Sequence, residues 1–148
     1  MVEISIDNAN RAGALANMNL EDLNKATKLG DESVILVREH KTVATHGPAR
    51  IILSSKLYSW ITIFVREVRS KVAGETKSSS ERVFISLSGE ALGSNQINKA
   101  IKSVWKKAGM KGSLSSTLIR KSAVSKVHTS SHSNEEQGNL ADLMAHII

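Results

Sequence analysis

Two residues near the end of the sequence have the types and placement to hold a phosphate. Arg120 lies in the run Ser-Leu-Ser-Ser-Thr-Leu-Ile-Arg-Lys-Ser-Ala-Val, and His146 in the run Leu-Ala-Asp-Leu-Met-Ala-His-Ile-Ile. Each run reads as a helix, with Arg120 near the start of one and His146 near the end of the other. The interval from His128 to Gly138 is rich in Ser, His, Asn and Glu, too polar for a core. A guanidinium and an imidazole from different helices suit an oxyanion better than a hydrophobic interior.

The charge of the chain agrees with an anionic partner. Its 148 residues carry 20 Lys+Arg against 14 Asp+Glu, a net charge of +6 and a pI near 9.7. The excess is clustered: Lys99, Lys102, Lys106, Lys107, Lys111, Arg120, Lys121 and Lys126 run without an intervening acid. Such a run reads as a polyanion-binding surface or, about equally on composition alone, as a solvated helix face. There are no cysteines, which excludes disulfides, thiolate metal sites and a cysteine nucleophile. No apolar run is long enough to cross a bilayer, and no signal peptide is visible, so a soluble intracellular protein is expected. The aromatic content of 3% leaves Leu, Ile, Val, Ala and Met to build the core of a single domain.

These residues need elements to position them. Met1 to Met18 shows a helical pattern of modest strength containing Arg11. Asn19, with Asp22 at the third helical position, predicts a capped helix over Leu20 to Leu29 that Gly30 stops. The β-branched run Ser33 to Glu39 predicts a strand. A turn at Thr45 to Pro48 and a returning strand over Ala49 to Leu53 complete a hairpin with Lys41 near its tip. Leu57, Trp60, Ile61, Phe64, Val65, Val68 and Val72 recur at helical spacing, with Ser54 or Ser55 as cap. Gly74 to Arg82 reads as a loop, and Val83 to Leu87 as a short strand or extended segment. Ser94 is expected to cap a helix whose apolar side is Ile97, Ala100, Ile101, Val104, Trp105 and Ala108; Gly109 and Gly112 end it. Ser115 or Ser116 caps the helix of Arg120, and the last helix packs Leu140, Leu143, Met144 and Ile147. The fold class is a mixed α+β domain, mainly α-helical, with a small antiparallel sheet.

Four blocks in this order resemble the catalytic domain of tyrosine recombinases, the phage-integrase family. Asn10 to Met18 (Asn-Arg-Ala-Gly-Ala-Leu-Ala-Asn-Met) resembles the block of the first catalytic arginine and matches it to Arg11. His40-Lys41-Thr42 between two strands resembles the hairpin lysine. Thr117 to Ala123 resembles the His-x-x-Arg box and matches the second arginine to Arg120. Leu143 to His146 resembles the Leu-Gly-His block and matches the last histidine to His146. The wording Arg-Lys-Ser-Ala-Val and Leu-Ala-Asp-Leu-Met-Ala-His is closest to the eukaryotic, Crypton-like branch.

The resemblance implies DNA recombination through a 3′-phosphotyrosine, with double-stranded DNA as partner, more than one copy assembling on DNA, and a nuclear location for a transposable-element protein. It implies no metal and no cofactor, because the covalent intermediate stores the bond energy. Arg11 and Arg120 would hold the non-bridging oxygens, Lys41 would protonate the leaving oxygen, and His146 would donate to a phosphate oxygen or help position the attack. Lys99, Lys102, Lys106, Lys107 and Lys121 would supply non-specific DNA affinity. In two respects the sequence departs from the family. Thr117 stands where the family has histidine, and a hydroxyl hydrogen-bonds a phosphate but is no base near neutral pH. The family's tyrosine nucleophile falls beyond Ile148, and the single tyrosine, Tyr58, reads as a core-edge residue. The expectation is therefore a partial domain without the N-terminal DNA-clamping domain or the nucleophile segment, inactive in cleavage by itself.

Taken singly, Arg11 reads as a surface arginine, Lys41 as a lysine guarding a sheet edge, and His146 as a histidine on a helix dipole. Only their joint order raises the functional reading. His128 and His132 are four apart but lie among Ser and Thr, and read as loop rather than metal ligands. No Gly-x-Ser-x-Gly elbow is present. Two alternatives remain: a recombinase-derived module that binds DNA or protein without cleaving, and an unrelated basic helical DNA-binding protein.

Overall fold

The computed structural model describes residues 1–39, 44 and 47–129. The mixed α+β class holds. Short helices α1 (Val2–Asn8), α2 (Ala12–Asn17) and α3 (Leu20–Asn24) lead into strands β1 (Thr27–Leu29), β2 (Glu32–Val37) and β3 (Ala49–Ser54). A long helical run follows as α4 (Ser55–Ile63), a π-helical stretch (Phe64–Arg69) and α5 (Ser70–Thr76), then α6 (Ser94–Lys107) and α7 (Ser116–Thr129).

The three strands form one antiparallel sheet in the order β1-β2-β3. Its register sets Ile35 opposite Ile51 and Val37 opposite Ala49, and places Ser33 opposite Leu53. These residues all lie on the buried face, as period-two alternation requires. Against that face pack Leu15 and Met18 from α2 and its exit, Leu57 and Ile61 from α4, Ile97 and Ile101 from α6, and Val83. The core is mainly aliphatic, as the low aromatic content demands, with Phe84 buried in it.

Several elements differ from expectation, each for a local reason. The N-terminal helical pattern is two helices, because Ala9 turns into the left-handed region (φ 49°) and Arg11 is extended ahead of α2. The helix expected to reach Leu29 ends at Asn24, and residues 27–29 join the sheet instead. Pairing of Thr27 with Val34 satisfies that backbone against a neighbouring strand, so tertiary contact overrides the helical pattern. Gly30 (φ +60°) consequently serves the β1–β2 hairpin turn rather than a helix end. The Asn19–Asp22 cap is present, the Asp22 carboxylate accepting the Asn19 N–H at 3.1 Å.

Ser54 caps α4 by accepting the Leu57 N–H. The expected apolar stripe is only partly buried: Leu57 and Ile61 face the core, whereas Trp60 and Val68 are exposed. The π-helical stretch shifts the phase of the stripe, so Arg69 rather than Val68 turns inward. The helix also continues to Thr76, into the expected loop. Past α5 the chain is extended, with Val83 and Phe84 buried, and it touches Met18 through the bond from the Val83 N–H to the Met18 carbonyl. Gly89 (φ +83°) packs so closely on Thr76 that a Cβ there would collide with its hydroxyl. Gly93, not Ser94, precedes α6, its N–H donating to the Gln96 side chain at 2.6 Å. The last described helix runs to Thr129, two residues into the expected polar connection.

Candidate phosphate-binding site

The two arginines meet because two helix junctions meet. Ala9, in the turn between α1 and α2, packs with Ile119 of α7 in a small apolar cluster completed by Leu114, Ala123 and Val124. Arg11 lies two residues after Ala9, and Arg120 one residue after Ile119. Burying that pair of apolar side chains therefore brings Arg11 and Arg120 near one another although they are distant in sequence.

α7 is aimed by its start. The Ser115 hydroxyl accepts the Leu118 N–H at 3.2 Å, an N-cap of the expected kind. The Ser116 N–H donates to the Asn98 side chain of α6 at 3.0 Å. Asn98 thus fixes the helix that bears Arg120. It went unseen in the sequence, where the only hint is an asparagine, a poor helix former, in the interior of a strong helical pattern.

Burial first, and then the neighbouring Arg11 charge, push the Arg120 guanidinium below its ordinary pKa. Arg120 stays charged, since arginine does not lose its proton in proteins. Its Nε is buried and meets no acceptor among the described residues. A buried donor left unmet costs about 1–3 kcal/mol, and a like charge alongside adds to that. An anion between the two arginines would relieve both costs.

Thr117 is exposed in the first turn of α7, three residues before Arg120 and on the same side of the helix. Lys121 is exposed beside it. Lys99, Lys102 and Lys106 are exposed on the face of α6 turned away from Ile97 and Ile101, and Lys107 is exposed at the end of that helix. Lys41 and His146 lie outside the described residues, as does the expected final helix. Tyr58 packs against the core and lines a groove with Lys28 and Arg66. Among the described residues no group of three or more His, Asp or Glu side chains could hold a metal ion, and no helix is long and apolar enough to cross a membrane.

No protein-family model matches this sequence, and no curated protein sequence matches it. Solved structures do. A crystal structure of XerA recombinase aligns over 95% of this chain and 45% of its own, with a TM-score of 0.67 and 17% identity. XerH site-specific recombinase bound to its difH substrate, in a pre-cleavage complex, aligns over 99% of this chain and 38% of its own, with a TM-score of 0.71 and 13% identity. A post-cleavage complex of XerH on palindromic difH gives a TM-score of 0.70 at 13% identity. The fold is thus that of tyrosine recombinase catalytic domains. The chain spans less than half the length of these structures.

Proposed function

We propose that this chain is the DNA-binding catalytic core of a tyrosine-type recombinase and grips a DNA phosphate between Arg11 and Arg120. One observation carries the reading: two arginines 109 positions apart in sequence are held together, half-buried, on this fold, with an Arg120 donor unmet among the described residues. Like charges gathered beside a buried, unmet donor cost stability, and an anion lying between them would offset that cost.

The chemistry follows from the donors. As a tyrosine oxygen attacks phosphorus, the non-bridging oxygens gain charge, and two fork-shaped guanidiniums hold one each. The bond to the 5′-oxygen breaks, and Lys41 gives that oxygen its proton. Thr117 and His146 donate to the phosphate. Tyr58 packs on the core, and this reading gives it no part in the attack. The Arg-Lys-Ser-Ala-Val wording supports a eukaryotic, Crypton-like branch, and with it a mobile element acting in the nucleus.

Thr117 favours a second reading, a recombinase-derived module that binds without cleaving, because its hydroxyl replaces a proton-transferring imidazole. A continuation of the chain bearing a tyrosine one to three turns past His146 supports the enzyme; one without it supports the module.

A labelled-duplex titration tests the shared core of both readings. Arg11→Ala and Arg120→Ala are each expected to weaken binding about tenfold or more at low salt, the scale of a charge-assisted phosphate contact. Each should also lower the salt slope by about 0.9. Full affinity in both variants would overturn the phosphate site.

A further inference from the structure

β3 is one of the two outer strands of the sheet among the described residues, so the N–H and C=O groups of its alternate residues face away from β2. Two buried asparagines occupy that edge. Asn8, 1% exposed, donates from Nδ2 to the Ile52 carbonyl at 2.9 Å and accepts the Ile52 N–H on Oδ1 at 2.6 Å. Its Nδ2 also reaches the Ile4 carbonyl at 3.1 Å, tying the amide to its own helix. Asn10, 2% exposed, donates from Nδ2 to the Arg50 carbonyl at 2.9 Å. Residues 8 and 10 therefore run against residues 52 and 50 as a side-chain rung of the ladder, in the place a fourth strand would take. The Asn8 amide uses its donor and its acceptor together on Ile52, whereas Asn10 uses its donor on Arg50 and its buried Oδ1 meets no donor among the described residues.

Arg11 follows Asn10 directly and is extended, with φ −66° and ψ 146°, at the start of α2. Its backbone position is therefore set by a residue bonded to β3. Ala9 supports the arrangement, since its left-handed turn lets asparagines on either side of it reach the same strand.

We infer that Asn10, backed by Asn8, is a positioning residue that locks the Arg11 turn to the outer edge of β3. Arg11 and the strand leaving the β2–β3 hairpin then move as one body, and Arg11 meets its phosphate from a fixed base. The inference rests on the phosphate reading of Arg11.

A double-mutant cycle on duplex binding tests it, using Asn10→Ala, Arg11→Ala and the pair. Asn10→Ala is expected to weaken binding about tenfold, close to Arg11→Ala. The pair should bind no more weakly than Arg11→Ala alone, and Asn10→Ala should lower the salt slope by about 0.9, as loss of one phosphate contact does. A merely structural role would leave that slope unchanged. Additive losses, or wild-type affinity for Asn10→Ala beside a weakened Arg11→Ala, would overturn the positioning role while leaving the phosphate site intact. Undiminished affinity in Arg11→Ala would instead overturn the phosphate reading, and this inference with it. Thermal melts monitor folding. If Asn10→Ala does not fold, Asn10→Ser carries the same cycle; if neither folds, the amide serves the core and the inference falls.

Discussion

Two pairs of arginines in this chain are wholly or partly buried to different ends. Arg69, 6% exposed, donates from Nε to the Arg82 carbonyl at 2.7 Å and from its terminal nitrogen to the Ser80 carbonyl at 2.6 Å. Arg82 in turn reaches the Asn17 carbonyl, the Asn19 side chain at 3.2 Å and the Glu39 carboxylate at 2.7 Å. These donors are spent on the protein itself, pinning the extended segment after α5 to the exit of α2. Arg120 differs: the like charge of Arg11 is its neighbour, and its Nε meets no acceptor among the described residues. Burial of an arginine says little by itself. What its donors meet separates a brace from a binding site.

That contrast is best broken by trading charge for an apolar side chain of similar length. Arg69→Met removes the donor to two inward-facing carbonyls and is expected to destabilise by about 3 kcal/mol. In a chain of this size, that lowers the melting temperature by roughly 10 °C. The DNA affinity of the folded fraction should stay the same. Arg120→Met is expected to move stability the other way, raising it by about 1 kcal/mol, because an unmet donor and a like-charge neighbour both disappear. A melt showing Arg120→Met as costly as Arg69→Met would mean that Arg120 is also a brace. Glu39→Gln should have the smallest effect, under about 0.5 kcal/mol, since its contact with Arg82 is largely exposed. Melts at low and high salt check this, because salt should erase even that difference.

Much of the fold was legible in local pattern. The β-branched run before the hairpin, the stripe around Leu57 and Ile61, and the Ile97–Ile101 face all appear close to where periodicity placed them. Local pattern failed where contact with another segment decided the outcome. Residues 27–29 continue a helical pattern but pair with β2, and the π-helical stretch rotates Arg69 into the interior in place of Val68. The site divided in the same way. Arg11 and Arg120 were identifiable by the blocks around them, whereas Asn8, Asn10 and Asn98 carry no pattern that marks them. Their roles exist only because β3 and α7 come within reach of their amides. Lys41 and His146, named from the same blocks, lie outside the described residues.

By itself the sequence determined the class of fold, the basic charge, the absence of cysteine and the two arginines worth watching. Residue type and short-range periodicity carry that information because hydrophobic burial and formal charge are properties of the chain before it folds. The tertiary structure alone decided which arginines brace the fold and which two stand together. Hydrogen-bond partners and like-charge proximity are relations between distant segments, and they come into being only when Ala9 and Ile119 pack against each other.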